Sequence, residues 1–435
     1  MLGSLALMLL ARYEIAEYEM WIARHLPVFM PIFAMWVVVF YVMESYNIVS
    51  PFNHRKFFVA LVSSVGLAIV VLYAVGELVS ITPRRNLLIT VAIFLPLFYT
   101  WRFLAMRTVD ALSAGRSIAV VGSDEHAIQL IRYVQTQRRQ GYRVVAVVQD
   151  PQQPVPKDAR RGLRVFDSLA ELKANVAGLE IAAVIISDSW YSTLYGELYP
   201  LIPLRIRFFQ LTSFWEGFLE SIPIYSAHES WFLENFNTGT SRGYLVAKRI
   251  SDTVAVLLFS PLVVVLAALT ALAVKVSSTG PAIFSQTRVG QNGQPYTVYK
   301  FRSMYTDAEK HGAQWAQKND PRVTPVGRFI RATRLDEIPQ LWNVLRGDMS
   351  LIGPRPERPE FVQDLAREIP HYNLRHLVRP GLTGWAQVKY RYGSSVEDAA
   401  VKLTYDLYYV KNVSLVLDIK ITLKTILTVL SRQGQ

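Results

Sequence analysis

A chain of 435 residues has room for two or three domains. It is 51% hydrophobic and only 18% charged, too apolar for an ordinary cytosolic enzyme and too charged for a bundle that is membrane throughout, which leaves a protein part membrane and part soluble. A formal charge of +12 fits three kinds of partner (nucleic acid, an anionic lipid surface or a phosphorylated substrate), and the absence of cysteine excludes disulfides, thiolate metal sites and a Cys nucleophile.

Three charge-free apolar runs come first: Leu26 to Met43, Phe57 to Gly76, and Asn86 to Trp101. Each is near the ~20 residues needed to cross a bilayer. Pro96 in the third is tolerable where neighbouring helices take up the freed backbone groups. The opening MLGSLALMLLA is a shorter run without a basic leader or small-residue cleavage site, so it reads as a first transmembrane helix rather than a signal peptide. Residues 1–112 are therefore expected to form a four-helix transmembrane bundle. Arg55, Lys56, Arg102, Arg107 and Arg116 on one side, against Arg12, Arg24, Arg84 and Arg85 on the other, lean by a thin margin towards everything after Trp101 being cytoplasmic.

From Ser117 strands alternate with helices: SIAVVG, a helix from His126 to Gln140, YRVVAVVQD, a helix around Ser168 to Ala177, IAAVIISD, a further helix and RIRFFQL. Residues 113–235 thus predict a Rossmann-like α/β domain. Its first strand-to-helix turn, VVGSDEHA, has one Gly where a dinucleotide fingerprint needs three, and Ser123, Asp124 and Glu125 put negative charge where a pyrophosphate would lie. Asp150 ends the second strand, where a ribose could be met. A structural, oligomerising or regulatory role is favoured over nucleotide binding.

Residues 236–435 read as an α+β domain. Lys248, Arg249 and Asp252 precede an apolar stretch from Thr253 to Val274 that is long enough to span. Both flanks are basic, which resists a crossing, and Ser260-Pro261 in mid-run removes a backbone bond and bends a helix. Either a re-entrant helix over 248–276 or a kinked fifth span fits. IFSQTRVG and YTVYKFRS then predict a hairpin closed by QNGQ, with Lys300 and Arg302 leaving the second strand on one face as a phosphate platform.

The stretch Arg322 to Pro356 sets an adjacent acid pair, Asp336 and Glu337, among Arg322, Arg328, Arg331, Arg334, Arg346 and Arg355. Carboxylates beside arginines suit a phosphorylated, metal-bound substrate. An offset of five residues turns about 140° on an ideal helix, so Arg331 and Asp336 would not share a face, and adjacent acids lie about 100° apart. Cooperation between them then requires tertiary geometry or a helix break near Pro339. Gly353-Pro354-Arg355-Pro356 is a stiff loop able to hold Arg355 towards a donor. RPGLTGWAQV, residues 379–388, reads as turn then strand; His371 and His376 read as structural. Near the end Ile419, Leu423, Ile426 and Leu430 form an apolar stripe with Lys420 and Lys424 off it, as for a membrane-surface helix or a core-packed one.

The blocks KRISD, GPAIFSQTRVGQNGQPYTVYKFRSM, TRLDEIPQLWNVLRGDMSLIGPRPERPEF and RPGLTGWAQV, from about Lys248 onward, resemble the bacterial polyprenyl-phosphate sugar-1-phosphate transferases, the monotopic phosphoglycosyl transferases. The resemblance implies transfer of a sugar 1-phosphate from a UDP-sugar, UDP-glucose or UDP-galactose, to undecaprenyl phosphate with release of UMP. It implies Asp336 as nucleophile and metal ligand, Glu337 as its catalytic partner, and Mg²⁺ as cofactor. It also implies a donor site using Arg331, Arg334, Lys300, Arg302, Arg355 and Gln340. A re-entrant helix with Lys248, Arg249 and Asp252 where it meets the membrane surface and Ser260-Pro261 at its mid-run break, the bacterial inner membrane with a cytoplasmic catalytic domain, and a homodimer follow on the same ground. Nucleic acid is not expected as a partner, because the basic residues flank membrane-facing and phosphate-binding segments. A membrane-anchored nucleotide-sugar oxidoreductase or epimerase, and a non-catalytic polysaccharide-assembly protein, are the alternatives.

Overall fold

The computed structural model describes residues 1–12, 17–42, 84–112, 116–136, 142–191, 194–199, 203, 206–225, 227, 229–236, 241–306, 308, 320–390, 393 and 395–430. The chain divides into two compact units: Met1–Ser187 with Thr193–Phe209, and Asp188–Ser192 with Gln210–Gln435.

In the first unit, helices α1 (Leu2–Arg12), α2 (Tyr18–Val42) and α3 (Arg84–Leu112) share an apolar core built on Leu5, Phe29, Trp36 and Phe94. Trp36 and Phe40 stack on Phe94 and Phe98 with ring centroids 5.1 and 4.8 Å apart, and Asn86 meets His25 at 2.7 Å. The expected run from Phe57 to Gly76 lies outside the described residues. Among the described residues, α2, α3 and the helix Arg242–Ser277 are long and apolar enough to cross a membrane.

A five-stranded sheet follows, ordered β3-β2-β1-β4-β5, with β1 (Arg116–Val121), β2 (Tyr142–Val148), β3 (Arg164–Phe166), β4 (Ile181–Ile186) and β5 (Arg207–Gln210). The pairings of β1 with β2 and β4, and of β2 with β3, are parallel. Strands buried on both faces need continuous Ile, Val and Ala, and Ile118–Val121 and Val184–Ile186 supply them at full burial. The helix after β1, α4 (Glu125–Thr136), buries Ile128, Leu130, Ile131 and Val134 at helical spacing. Its N-terminus is closed by the chain itself. Asp124 Oδ1 accepts from the N–H groups of His126 (3.1 Å) and Ala127 (2.9 Å), and Oδ2 accepts from the Ser187 hydroxyl. Gly122, at φ +106°, lets the turn lie directly against Ser187.

The second unit begins with α5 (Leu211–Leu219) and α6 (Glu229–Phe236), whose Trp231 and Phe232 enter a core with Val362, Leu365, Tyr372 and Leu403. Helix α7 (Arg242–Ser277) carries Pro261 without losing its helical assignment. Pro261 cannot donate to the Leu257 carbonyl, and the Ser260 hydroxyl does so instead at 2.7 Å. Two separate stretches of α7 touch the rest of the unit. Val256 joins Val298, Val344 and Met349, while Ala267, Ala271 and Val274 join Phe301 and Ile330. Between them Leu258, Phe259, Leu262 and Val264 are 59–70% exposed. The exposed apolar face also continues beside both contacts, through Val254, Leu269 and Leu272.

The expected hairpin is present as β6 (Ile283–Val289) antiparallel to β7 (Pro295–Phe301) around Gln291–Gly293. Helix α8 (Pro325–Ala332) is capped by Thr324, α9 spans Gln340–Arg346, and β8 (Ser350–Ile352) pairs in parallel with β9 (Gly381–Thr383). The second half of RPGLTGWAQV departs from the expected strand: Trp385–Lys389 is a short helix. The strand ends because Gly384 backs onto Gly353 more closely than a Cβ allows, and the turn that follows buries Trp385 completely, with its Nε1 on the Glu220 carbonyl at 2.9 Å. Last come α10 (Val396–Lys411), opened by a Ser395–Asp398 capping box, and α11 (Leu415–Leu430).

Candidate active site

The acid pair does not sit on an ordinary helix. Helix α8 stops at Thr333, Arg334 adopts the left-handed region at φ 60°, and Leu335–Glu337 form one 3₁₀ turn before Pro339 caps α9. The break thus falls upstream of the acids rather than at Pro339. A non-glycine residue held at positive φ is costly, and such strain is kept where a side chain has to be aimed. Here it turns both acids inward: Asp336 and Glu337 are each 7% exposed.

Their surroundings differ. Glu337 Oε1 is 2.7 Å from Arg355 Nη2, 3.6 Å from Arg334 Nη1 and 3.8 Å from Lys300 Nζ. Burial alone would raise its pKa; Arg355, Lys300 and Arg334 outweigh that and hold it at about 2. Asp336 is pushed the other way, by burial first and by the negative charge of Glu337, with Lys300, Arg355 and Arg331 opposing. Its Oδ1 is buried and has no hydrogen-bond partner. Lys300 falls to about 8, by burial and the nearby Arg355 charge. Two adjacent carboxylates are thereby split into one held in its ionised form by three cations and a more basic one with an open oxygen.

Lys300, Arg334 and Arg355 are brought to the pair directly, and Arg331 acts on Asp336 through its charge. Gln340 is 3% exposed one helical turn on, its Nε2 without a partner. Arg302 is placed elsewhere. Strand β7 ends at Phe301, and the Arg302 guanidinium turns to the end of α7, donating to the Ser278 carbonyl (2.7 Å) and hydroxyl (3.0 Å). Gly280, at φ +116°, leaves the space that guanidinium fills. The residues at the base of α7 fasten that helix to the domain. Lys248 pairs with Asp418 at 2.8 Å, Arg249 caps the Val344 and Leu345 carbonyls at the end of α9, and Asp252 accepts from Ser350 Oγ at 2.7 Å. His371 and His376 pack on Phe232 and Tyr372, and among the described residues no three His, Cys, Asp or Glu side chains converge as for a metal ion.

A family profile described as bacterial sugar transferase matches residues 243–432, the whole stretch that carries this site. Over a longer span the chain is 32% identical to a UDP-glucose:undecaprenyl-phosphate glucose-1-phosphate transferase of Xanthomonas campestris pv. campestris, across 83% of this chain and 74% of that protein. The chain belongs to the bacterial sugar transferase family. The membership implied by the sequence blocks from Lys248 onward is met. Within this sugar transferase family, an undecaprenyl-phosphate glucose phosphotransferase of Komagataeibacter xylinus is 34% identical over 72% of this chain and 58% of its own length. A UDP-N-acetylgalactosamine-undecaprenyl-phosphate N-acetylgalactosaminephosphotransferase of Aeromonas hydrophila is 50% identical over 44% of this chain. The chain spans 45% of the length of that Aeromonas protein.

Two supporting residues escaped the sequence reading. Asn343, fully buried, bridges α9 to β7 by donating to the Thr297 carbonyl (2.7 Å) and accepting from the Tyr299 N–H (3.2 Å). It lies three residues after Gln340, on the buried face of α9, and that spacing was the available signal. Arg375, 6% exposed, meets Tyr372, Asp406 and the Arg355 carbonyl, and nothing in its local sequence marks it.

Proposed function

We propose that this protein transfers a sugar 1-phosphate from a UDP-sugar to undecaprenyl phosphate, opening the synthesis of a bacterial polysaccharide. The observation that carries the reading is the open Oδ1 of Asp336 beside a Glu337 already held by three cations. Asp336 Oδ1 attacks the phosphorus that bears the sugar, the bond from that phosphorus to the bridging oxygen breaks, and UMP leaves with the electron pair. A phosphate oxygen of undecaprenyl phosphate then attacks the same phosphorus. The bond to Asp336 breaks, the carboxylate is regenerated, and a diphosphate-linked lipid sugar departs. Burial and Glu337 make Asp336 the more basic carboxylate and so the better nucleophile, while Lys300, Arg331 and Arg355 favour its ionised form. Magnesium, when bound, would neutralise charge on the diphosphate, and the Asp336 carboxylate together with substrate oxygens would suit a hard cation. Arg334, Arg355 and Lys300 bind and orient the diphosphate, and Gln340 offers an amide donor on the same side.

The acceptor is a lipid, and α7 supplies its approach. Its apolar middle, Leu257 to Val265, enters the bilayer and returns to the cytoplasmic face, a reading supported by its contacts at both ends and by basic residues on both flanks. In α11 Ile419 and Ile426 are 46% and 48% exposed while Leu417 and Ile421 are buried, so the apolar stripe faces away from the core, as a membrane-surface helix requires. Relatives named for glucose and for N-acetylgalactosamine both match, so the donor sugar is read from a panel. The test measures UMP release and retention of labelled sugar phosphate on the enzyme over UDP-glucose, UDP-galactose and UDP-N-acetylgalactosamine. Labelled enzyme accumulates without undecaprenyl phosphate and is discharged by adding it; undiminished turnover by Asp336→Asn sinks the mechanism. The chain has no cysteine, so Ser241→Cys and Thr279→Cys report on topology. A membrane-impermeant maleimide labels both from the same side if α7 re-enters, and from opposite sides if it spans.

A further inference from the structure

The loop Gly353–Pro356 must hold Arg355 on Glu337, yet its prolines contribute no N–H groups of their own. Its carbonyls are instead held from outside. The Pro354 carbonyl accepts from the Gly381 N–H at 2.9 Å, that of Arg355 from Arg375 Nη2 at 2.9 Å, and that of Pro356 from Arg288 Nη1 at 3.1 Å. Arg375 is itself fixed on three sides. Its Nη2 also donates to Asp406 Oδ2 at 2.7 Å and its Nη1 to the Tyr372 hydroxyl at 2.7 Å. A guanidinium ion-paired only for the sake of the core would need Asp406 alone. This one spends a bond on the carbonyl of the residue whose side chain ends on Glu337, 2.7 Å away.

Resting on the transfer reading above, we propose that Arg375 is a positioning residue for the reaction, locking the backbone at Arg355 so that the Arg355 guanidinium stays on Glu337 and on the donor diphosphate. Asp406, from α10, orients Arg375 in turn. A misplacement of about 1 Å can cost roughly 100-fold in rate, so a lysine at 375, with one nitrogen for three acceptors, releases the loop while keeping the charge beside Asp406.

The experiment compares UMP release by the wild type, Arg375→Lys, Arg355→Ala and the double variant. Wild-type activity is measured first, because its absence rejects the transfer reading itself. With an active wild type, Arg375→Lys is expected to lose roughly 10- to 100-fold in kcat/KM. The double variant is expected to be no slower than Arg355→Ala within about twofold, since Arg375 has nothing left to position. Losses that multiply, or a folded Arg375→Lys with wild-type kcat/KM, overturn the assignment. Should Arg375→Lys not fold, Tyr372→Phe and Asp406→Asn loosen the guanidinium without deleting it. Their losses should likewise vanish in the Arg355→Ala background, and persistence there overturns the assignment equally.

Discussion

Two turns in this molecule point an aspartate towards the chain, half-buried in one and buried in the other, and they use it in opposite ways. At the first strand-to-helix turn Asp124 spends both oxygens inside the protein, on two helix N–H groups and on Ser187. At the 3₁₀ turn Asp336 leaves Oδ1 buried and open while its neighbour Glu337 takes the cations. A carboxylate with both oxygens engaged by its own chain is a structural part. One left buried without a partner costs free energy to maintain and calls for a reason, which the proposed attack on substrate supplies. The anion site that such a strand-to-helix turn offers to a dinucleotide is thus filled by the chain's own Asp124, which weighs against an oxidoreductase reading.

The largest effect that sharpens this contrast is at Asp336. Asp336→Asn keeps the shape and removes the nucleophile, and is expected to lower UMP release by roughly 10⁴-fold or more. Labelled sugar phosphate should no longer stay on the denatured enzyme. Glu337→Gln comes next. It leaves Arg355, Arg334 and Lys300 without their anion and also removes the charge that raises the Asp336 pKa. A loss of roughly 100-fold in kcat is expected, with labelling by the donor still detectable. Equal losses at the two acids would erase the division of labour drawn between them.

A smaller effect is one of pH. Burial and Arg355 lower the Lys300 ammonium to about 8, so it is charged at neutrality and loses its proton as pH rises through that value. The kcat/KM profile should therefore fall on its alkaline side with a midpoint near 8. Lys300→Arg, ionised throughout, should carry the plateau to higher pH. An unchanged alkaline limb in that variant would detach Lys300 from the reaction.

What the sequence made legible divides along the same line. The acid pair and its cations, Lys300, Arg334 and Arg355, stand out because like and unlike charges are crowded into short local blocks. Strands β1, β2 and β4 are legible for an equally local reason, their unbroken apolar runs, whereas the three-residue β3 escaped the sequence reading. Arg375 and Asn343 are not, since the partners that tie them to Arg355 and β7 lie 20 to 46 residues away and no periodicity encodes such a contact. Arg302 misled because alternation along β7 gives its side of the strand but not the end of the strand at Phe301. Trp385 misled likewise, its helical turn being imposed by burial against groups remote in sequence. The helix break before Asp336 was anticipated in kind and displaced in position, to Arg334, a residue type that rarely adopts positive φ.

The smallest effect tests the other side of the comparison. Asp124→Ala removes an N-cap and the acceptor of the Ser187 hydroxyl, and loss of such a cap costs about 1 kcal/mol. That cost should be local. Amide hydrogen exchange over the first turn of α4, His126 to Leu130, should quicken, and the transition of the parallel sheet should soften by a few degrees, about 2 to 4 °C. UMP release at temperatures where the sheet is folded should be that of the wild type. The variant also frees the helix N–H groups that a phosphate would need, so adding a dinucleotide to it is the sharper half of the test. If wild-type protein ignores the dinucleotide and Asp124→Ala is restabilised by it, the aspartate is a built-in stopper in a site that still has its shape. If neither responds, the turn has lost the shape as well as the vacancy, and Asp124 is a helix cap and nothing more.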